Sequence, residues 1–170
     1  IQAAVDAAPD GTLINVTQGT YNESVVVDNS NLVIEGNTGD SSAGAAGNAP
    51  VLDSDNEKTT AIKLTSGADN VVIKGLQIRN YQTFGVFPDV GETETIEGIT
   101  VHDNTISGVS IAVLVLSEED RAVFKDVDIQ RNVISNVGFG VNMRGSAGVS
   151  DIKDVTISEN EISDVSRDGV

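Results

Sequence analysis

Residues 101–109 read VHDNTISGV, residues 129–137 read IQRNVISNV, and residues 157–165 read ISENEISDV. Asn104, Asn132 and Asn160 stand 28 residues apart, and Ile106, Ile134, Ile162 and Val109, Val137, Val165 keep the same step. A fixed period of this size is the signature of stacked repeats. Within a repeat the apolar period is 2: Val127, Ile129, Ile134, Val137, Phe139, Val141 and Met143 alternate with polar or small residues. That is strand spacing, with every second side chain on one face. β-branched residues dominate, as a pleated, half-buried surface prefers. About 28 residues cannot bury such a face alone, so neighbouring copies must stack.

The pattern predicts an all-β fold: a right-handed parallel β-helix, or solenoid, with short strands in each coil. Coils then lie one strand spacing apart, about 4.8 Å. The expected core is Val101, Ile106, Val109, Ile129, Ile134, Val137, Ile157 and Ile162. Asparagine tolerates the left-handed conformation and bonds local backbone, so the asparagine column reads as a corner whose amides stack in a ladder. Asp126 and Asp154 read as turn residues equivalent to Gly98 and Gly75.

The repeat resembles that of the pectin-lyase-like superfamily: apolar-x-apolar-x-x-Asn-x-Ile, then Val, then a Gly-Val strand. So does the opening, IQAAVDAAPDGTLINVTQGTYNESVVVD (1–28), followed by NLVIEG (31–36), PVLDSD (50–55) and DNVVIKGLQIRN (69–80). The resemblance covers essentially the whole chain and implies fold more than activity, because one fold hosts many functions. Residues 1–8 read as a short amphipathic capping helix, with Ile1, Ala4, Val5 and Ala8 on one face. The chain is expected to form one β-helix domain over 1–170, with a cap over about 1–30 and coils over about 31–170. Its ends look like those of a segment of a longer polypeptide. Residues 37–49, NTGDSSAGAAGNA, are a Gly/Ala/Ser-rich loop with nothing to pack.

Charge narrows the partners. The 170 residues carry 26 acidic and 10 basic side chains, a net charge of −16. Binding nucleic acid through a basic surface is excluded on that balance. There is no cysteine, hence no disulfide framework and no thiolate metal site. No apolar run reaches membrane-span length.

By the family's habit, a site would lie on the outer face of the Gly-Val strands, at 85–87, 112–116 and 140–144. The outward residues expected there are Phe87, Leu114, Leu116, Asn142 and Arg144. Asn142 and Arg144, with Arg167 and Asp168 on the next coil, are the candidate ligand-binding residues. Polysaccharide lyases, epimerases and hydrolases need carboxylates and a base converging on the sugar. No complete set of that kind is visible, and the catalytic residues are left unassigned. The loops beyond these strands, PDVGETET (88–95) and SEEDRA (117–122), are acidic. Asp89, Glu92, Glu94, Glu118, Glu119 and Asp120 are hard oxygen ligands of the type Ca²⁺ takes, and form the candidate cation site.

His102 is the single histidine. It is expected to face outward between Arg79 and Gln130, with no carboxylate partner fixed by the repeat. Phe84 and Phe139 read as inward core residues, and Tyr21 and Tyr81 as corner packing. Two functions stand side by side. One is an extracellular module that binds polysaccharide, or processes it as part of a longer chain. The other is a non-catalytic structural or adhesive spacer at the cell surface, associating with neighbouring coils or chains. A periplasmic location is compatible with either.

Overall fold

The computed structural model describes residues 1–37, 49–89, 94–117, 123–145 and 151–170. A short helix, α1 (Gln2–Ala7), leads into β1 (Leu13–Val16), β2 (Thr20–Tyr21), β3 (Val25–Val27) and β4 (Val33–Gly36). Then come β5 (Val51–Asp53), β6 (Thr60–Leu64), β7 (Val72–Lys74), β8 (Gln77–Arg79) and β9 (Phe84–Pro88). β10 (Thr95–Glu97), β11 (Thr100–His102) and β12 (Thr105–Ser117) form the next coil. The last strands are β13 (Val123–Gln130), β14 (Val133–Gly145), β15 (Asp151–Ser158) and β16 (Glu161–Asp168). Every pairing is parallel and joins consecutive coils. One sheet is built on β1-β4-β7-β11-β13-β10, with β15 on β13; the other on β2-β5-β8-β12-β9-β6-β3, with β14 on β12 and β16 on β14. The chain is thus an all-β parallel β-helix of about four turns with one short N-terminal helix.

The register is the one the sequence period demands up to Val137 of β14, after which it shifts so that Phe139 pairs with Asp168 rather than Arg167. Thr105, Ile106 and Ser107 pair with Val133, Ile134 and Ser135, and these with Glu161, Ile162 and Ser163. Val101, Ile106, Val109, Ile129, Ile134 and Val137 are buried as expected. Ile157 and Ile162 are only partly buried. They lie in the last coil described.

Bends, rather than straight strands, give the coil its section. Three columns of left-handed residues run along the axis: Asn70, Gly98, Asp126, Asp154; then Gly75, Asp103, Arg131, Glu159; then Asn80, Gly108, Asn136, Asp164. Each steps by 28 residues, so the period reaches one coil further back than the asparagine motif. Asp126 and Asp154 are turn residues as expected, but their column continues to Asn70; Gly75 belongs to the next bend. The left-handed corner residue likewise precedes the ladder asparagine rather than being it.

The asparagines lie inside. Asn104 and Asn132 are 1% and 0% exposed. Asn104 donates from Nδ2 to Asn132 Oδ1 at 3.1 Å, and Asn132 donates to Asn160 Oδ1 at 2.9 Å. The same carbonyl oxygens accept the backbone N–H of the preceding coil's ladder residue, from Leu76 to Asn104, Asn104 to Asn132 and Asn132 to Asn160. Each amide also donates to the main chain one coil back, at Ile73, Val101 and Ile129. A buried turn would otherwise leave those groups unpaired, at a cost of about 1–3 kcal/mol each.

At the other end, Val5 of α1 is fully buried, while Ala4, expected on the same face, is exposed. Gln2 finishes the edge of β3: its side-chain oxygen accepts from Val26 N at 2.6 Å and its Nε2 donates to Val26 O at 3.0 Å. One amide thereby pairs with β3 as a neighbouring strand would, covering groups that would template aggregation.

Candidate functional site

Among the described residues, two places outside the core gather chemically capable side chains. The first is a groove beside the third bend. Gln82, Ser110, Gly138 and Ser166 form a column at the 28-residue step, next to the left-handed Gly108, Asn136 and Asp164. With Ile111, Phe139, Arg144 and Arg167 they line a depression of about 690 Å³. It adjoins a second, of about 450 Å³, lined by Asn142, Arg144, Arg167 and Asp168 together with Ile111, Phe139 and Val141. All four candidate ligand residues therefore border one continuous surface. Arg144, Arg167 and Asp168 are exposed, and Asn142 is half-buried.

The groove floor departs from the period-2 reading. Phe84, Ile111 and Phe139 share a column and are half-buried, not core. The residues beside them point inward instead. A Cβ placed on Gly85 would lie 3.0 Å from Ile106 Cγ2, and one on Gly140 would lie 3.0 Å from Ile162 Cγ2. The bend at these small residues turns the preceding aromatic outward. The Arg167 guanidinium carbon sits 5.4 Å from the centre of the Phe139 ring, within cation–π range. Phe84 instead stacks on Phe87, ring centres 4.4 Å apart. Leu114, expected outward, is buried in its column beside Asn142; the side chain of Leu116 lies outside what is described.

The second place is the outer side of the corner at 102–103. His102 stacks on Lys74 and Gln130, not on Arg79, which pairs with Asp53. Contrary to expectation, His102 has a carboxylate partner: its Nδ1 lies 2.5 Å from Asp103 Oδ2. Arg131, one coil on, donates from Nε to Asp103 Oδ1 at 3.0 Å and from Nη2 to Oδ2 at 3.1 Å. Its Nη1 donates to Gln130 Oε1 at 2.5 Å, and Gln130 Nε2 donates to Asp128 Oδ2 at 2.6 Å. Burial alone would raise the Asp103 pKa, but the hydrogen bonds from Arg131 and His102 and their charges outweigh it and hold the carboxyl below its usual range. Neighbours on an alternating strand face opposite ways. The left-handed turn at Asp103 (φ 56°) is what lets it meet His102.

The acidic loops give less. Asp89 pairs with Lys63, and Glu94 is also engaged. Glu92, Glu118, Glu119 and Asp120 lie outside the described residues. Among the described residues no group of three or more possible metal ligands converges. Tyr81 is buried, its hydroxyl donating to Glu23 O at 2.6 Å. Burial, reinforced by the Asp53 and Glu23 carboxylates, drives its phenol pKa far up, so it stays a neutral corner post. Tyr21 is half-buried and donates to Thr17 O. Among the described residues no helix is long and apolar enough to cross a membrane.

The class of protein defined by this fold is the parallel β-helix. Compared with protein-family models, with curated proteins and with solved structures, the chain matches none.

Proposed function

We propose that the chain is an extracellular or cell-surface β-helix module, of the pectin-lyase-like kind its repeat resembles, that holds a polysaccharide chain in the groove beside the third bend. The observation carrying this reading is the outward turn of Phe139 and Ile111 at the groove floor. An apolar floor flanked by the Gln82 amide, the Ser110 and Ser166 hydroxyls and the Arg144 and Arg167 guanidiniums suits a sugar ring, which presents an apolar face and a polar rim. Polar side chains recur in the column at Gln82, Ser110 and Ser166, so one polymer can be contacted from several coils. Arg144 and Arg167 also offer planar donors to a carboxylate.

Binding is measured by calorimetry and affinity electrophoresis against a panel of neutral and uronate-rich polysaccharides. The expected result is binding to at least one, weakened about tenfold by Phe139→Ala and by Arg167→Ala, in line with the 1–3 kcal/mol that an aromatic stacking contact contributes elsewhere. Binding to none of the panel, or binding unchanged in both variants, rejects the groove and leaves the spacer reading in its place.

A further inference from the structure

The ladder fills the inner side of the corner; its outer side carries charged side chains that meet between coils. The bend asks of this column only a residue that accepts the left-handed backbone, and Gly75 supplies it two coils before Arg131. An arginine adopts that conformation at a cost, yet Arg131 is there, at φ 50°. Its side chain reaches back one coil to grip both oxygens of Asp103, which in turn faces His102 Nδ1. The side chains of His102 and Asp103 are 18% and 16% exposed, while that of Arg131 is 43% exposed.

The hydrogen bonds fix what each group offers. With Nδ1–H donating to Asp103, the lone pair of the neutral ring sits on Nε2. Arg131 has five N–H donors; Asp103 takes two and Gln130 takes one. Two remain, on a guanidinium whose Nη2 is 3.3 Å from His102 Nδ1. The guanidinium lies against the Nδ1 edge of the ring, so a donor for developing negative charge neighbours the residue that carries the proton acceptor, and Asp103 faces the positive charge the ring gains on protonation. Asp103, Asp128 and Glu159 surround Arg131, and the chain carries a net charge of −16. An anionic substrate is repelled and a neutral one is not.

We infer that His102, Asp103 and Arg131 form a second site, separate from the groove, that hydrolyses neutral carboxylic esters. His102 Nε2 takes a proton from water as the water oxygen bonds to the acyl carbon. The carbonyl π pair moves onto its oxygen, where a free Arg131 N–H meets the charge. That pair then returns, the acyl C–O bond breaks, and the leaving oxygen takes the proton back from Nε2–H. The products are a carboxylic acid and an alcohol, and the ring is restored. His102 and Arg131 are the catalytic residues; Asp103 positions the ring.

The test uses the full 170-residue chain and 4-nitrophenyl acetate, with free imidazole at equal concentration as the reference. The wild-type rate is expected to exceed that of imidazole by about 10²-fold, the lower end of what a positioned general base contributes. His102→Gln should return the rate to background. Asp103→Asn should lower it about tenfold or more and change its pH profile, and Asp103→Glu should recover part of the loss. Thermal melts of each variant separate misfolding from loss of chemistry. A wild-type rate no higher than that of imidazole overturns the inference. So does a natively melting His102→Gln that keeps the wild-type rate, or variants that lose stability together while the rate stays level.

Discussion

Asn132 and Arg131 are neighbours in the chain and lie on opposite sides of one corner. Asn132 faces in, is fully buried, and has an identical counterpart in the coils before and after. Arg131 faces out, and its column holds four different residues: Gly75, Asp103, Arg131 and Glu159. The inner column repeats because each amide must satisfy the same backbone groups, coil after coil. The outer column is constrained only in backbone conformation, so its side chains are free to differ. In this fold repetition marks structure, and a departure from it is where chemistry has room.

The inner side should break hardest. Asn132→Ala removes acceptors for the Asn104 main-chain and side-chain N–H groups and a donor to Val101 O. With several buried groups unpaired, the expected cost is about 4 kcal/mol in a denaturant titration. A loss below about 1 kcal/mol would mean the ladder is not what closes the corner.

Next comes the core beneath it. Ile134→Ala, at a fully buried position, should cost about 3 kcal/mol. The same change at half-buried Ile162 should cost about 1 kcal/mol, since less apolar surface is lost. Equal losses at the two positions would show that something other than the described coils covers the last one.

The outer side should respond least, and mainly to salt and pH. Arg131→Gln should lower the melting temperature slightly, with the difference shrinking as salt is added. Asp103 titrates lower in the folded chain than when unfolded. Its contribution is therefore fully present above the unfolded carboxylate value, about 3.9. It is lost as pH falls through the depressed folded value. Asp103→Asn should lower the melting temperature most at pH 7 and flatten the acid limb of the profile, the variant converging on the wild type as pH falls through the depressed folded value. A parallel acid limb in the variant would place the acid sensitivity elsewhere, with Asp53 the next carboxyl held low, by Asp55 N–H, Arg79 and Asn80 against its own burial.

How far the sequence could be read depended on the bends. Between bends, alternation and the 28-residue step placed Ile106, Ile134, Val101 and Ile129 in the core. At bends, alternation fails. Phe84 and Phe139 read as inward by counting from Val86 and Val141, but Gly85 and Gly140 take the inward place. His102 read as having no carboxylate partner fixed by the repeat, but a left-handed residue brings Asp103 to it. A signal was present: Asn70, Gly98, Asn80 and Gly108 occupy bend positions in earlier coils, and stepping forward from them marks Asp126, Asp154, Asn136 and Asp164. The candidate ligand residues Asn142, Arg144, Arg167 and Asp168 line one depression, although a register shift after Val137 that the 28-residue step does not foretell pairs Phe139 with Asp168.

The sequence by itself determined the solenoid, the stacking register and the asparagine ladder. All three follow from periodicity, and periodicity is a property of the string. Only the tertiary structure decided that Arg131 reaches Asp103 across a coil, that Asp103 turns back to His102, and that Phe139 opens to the groove beneath Arg167. Those contacts depend on the sign of φ at a few residues and on side chains meeting between coils, and neither repeats along the chain.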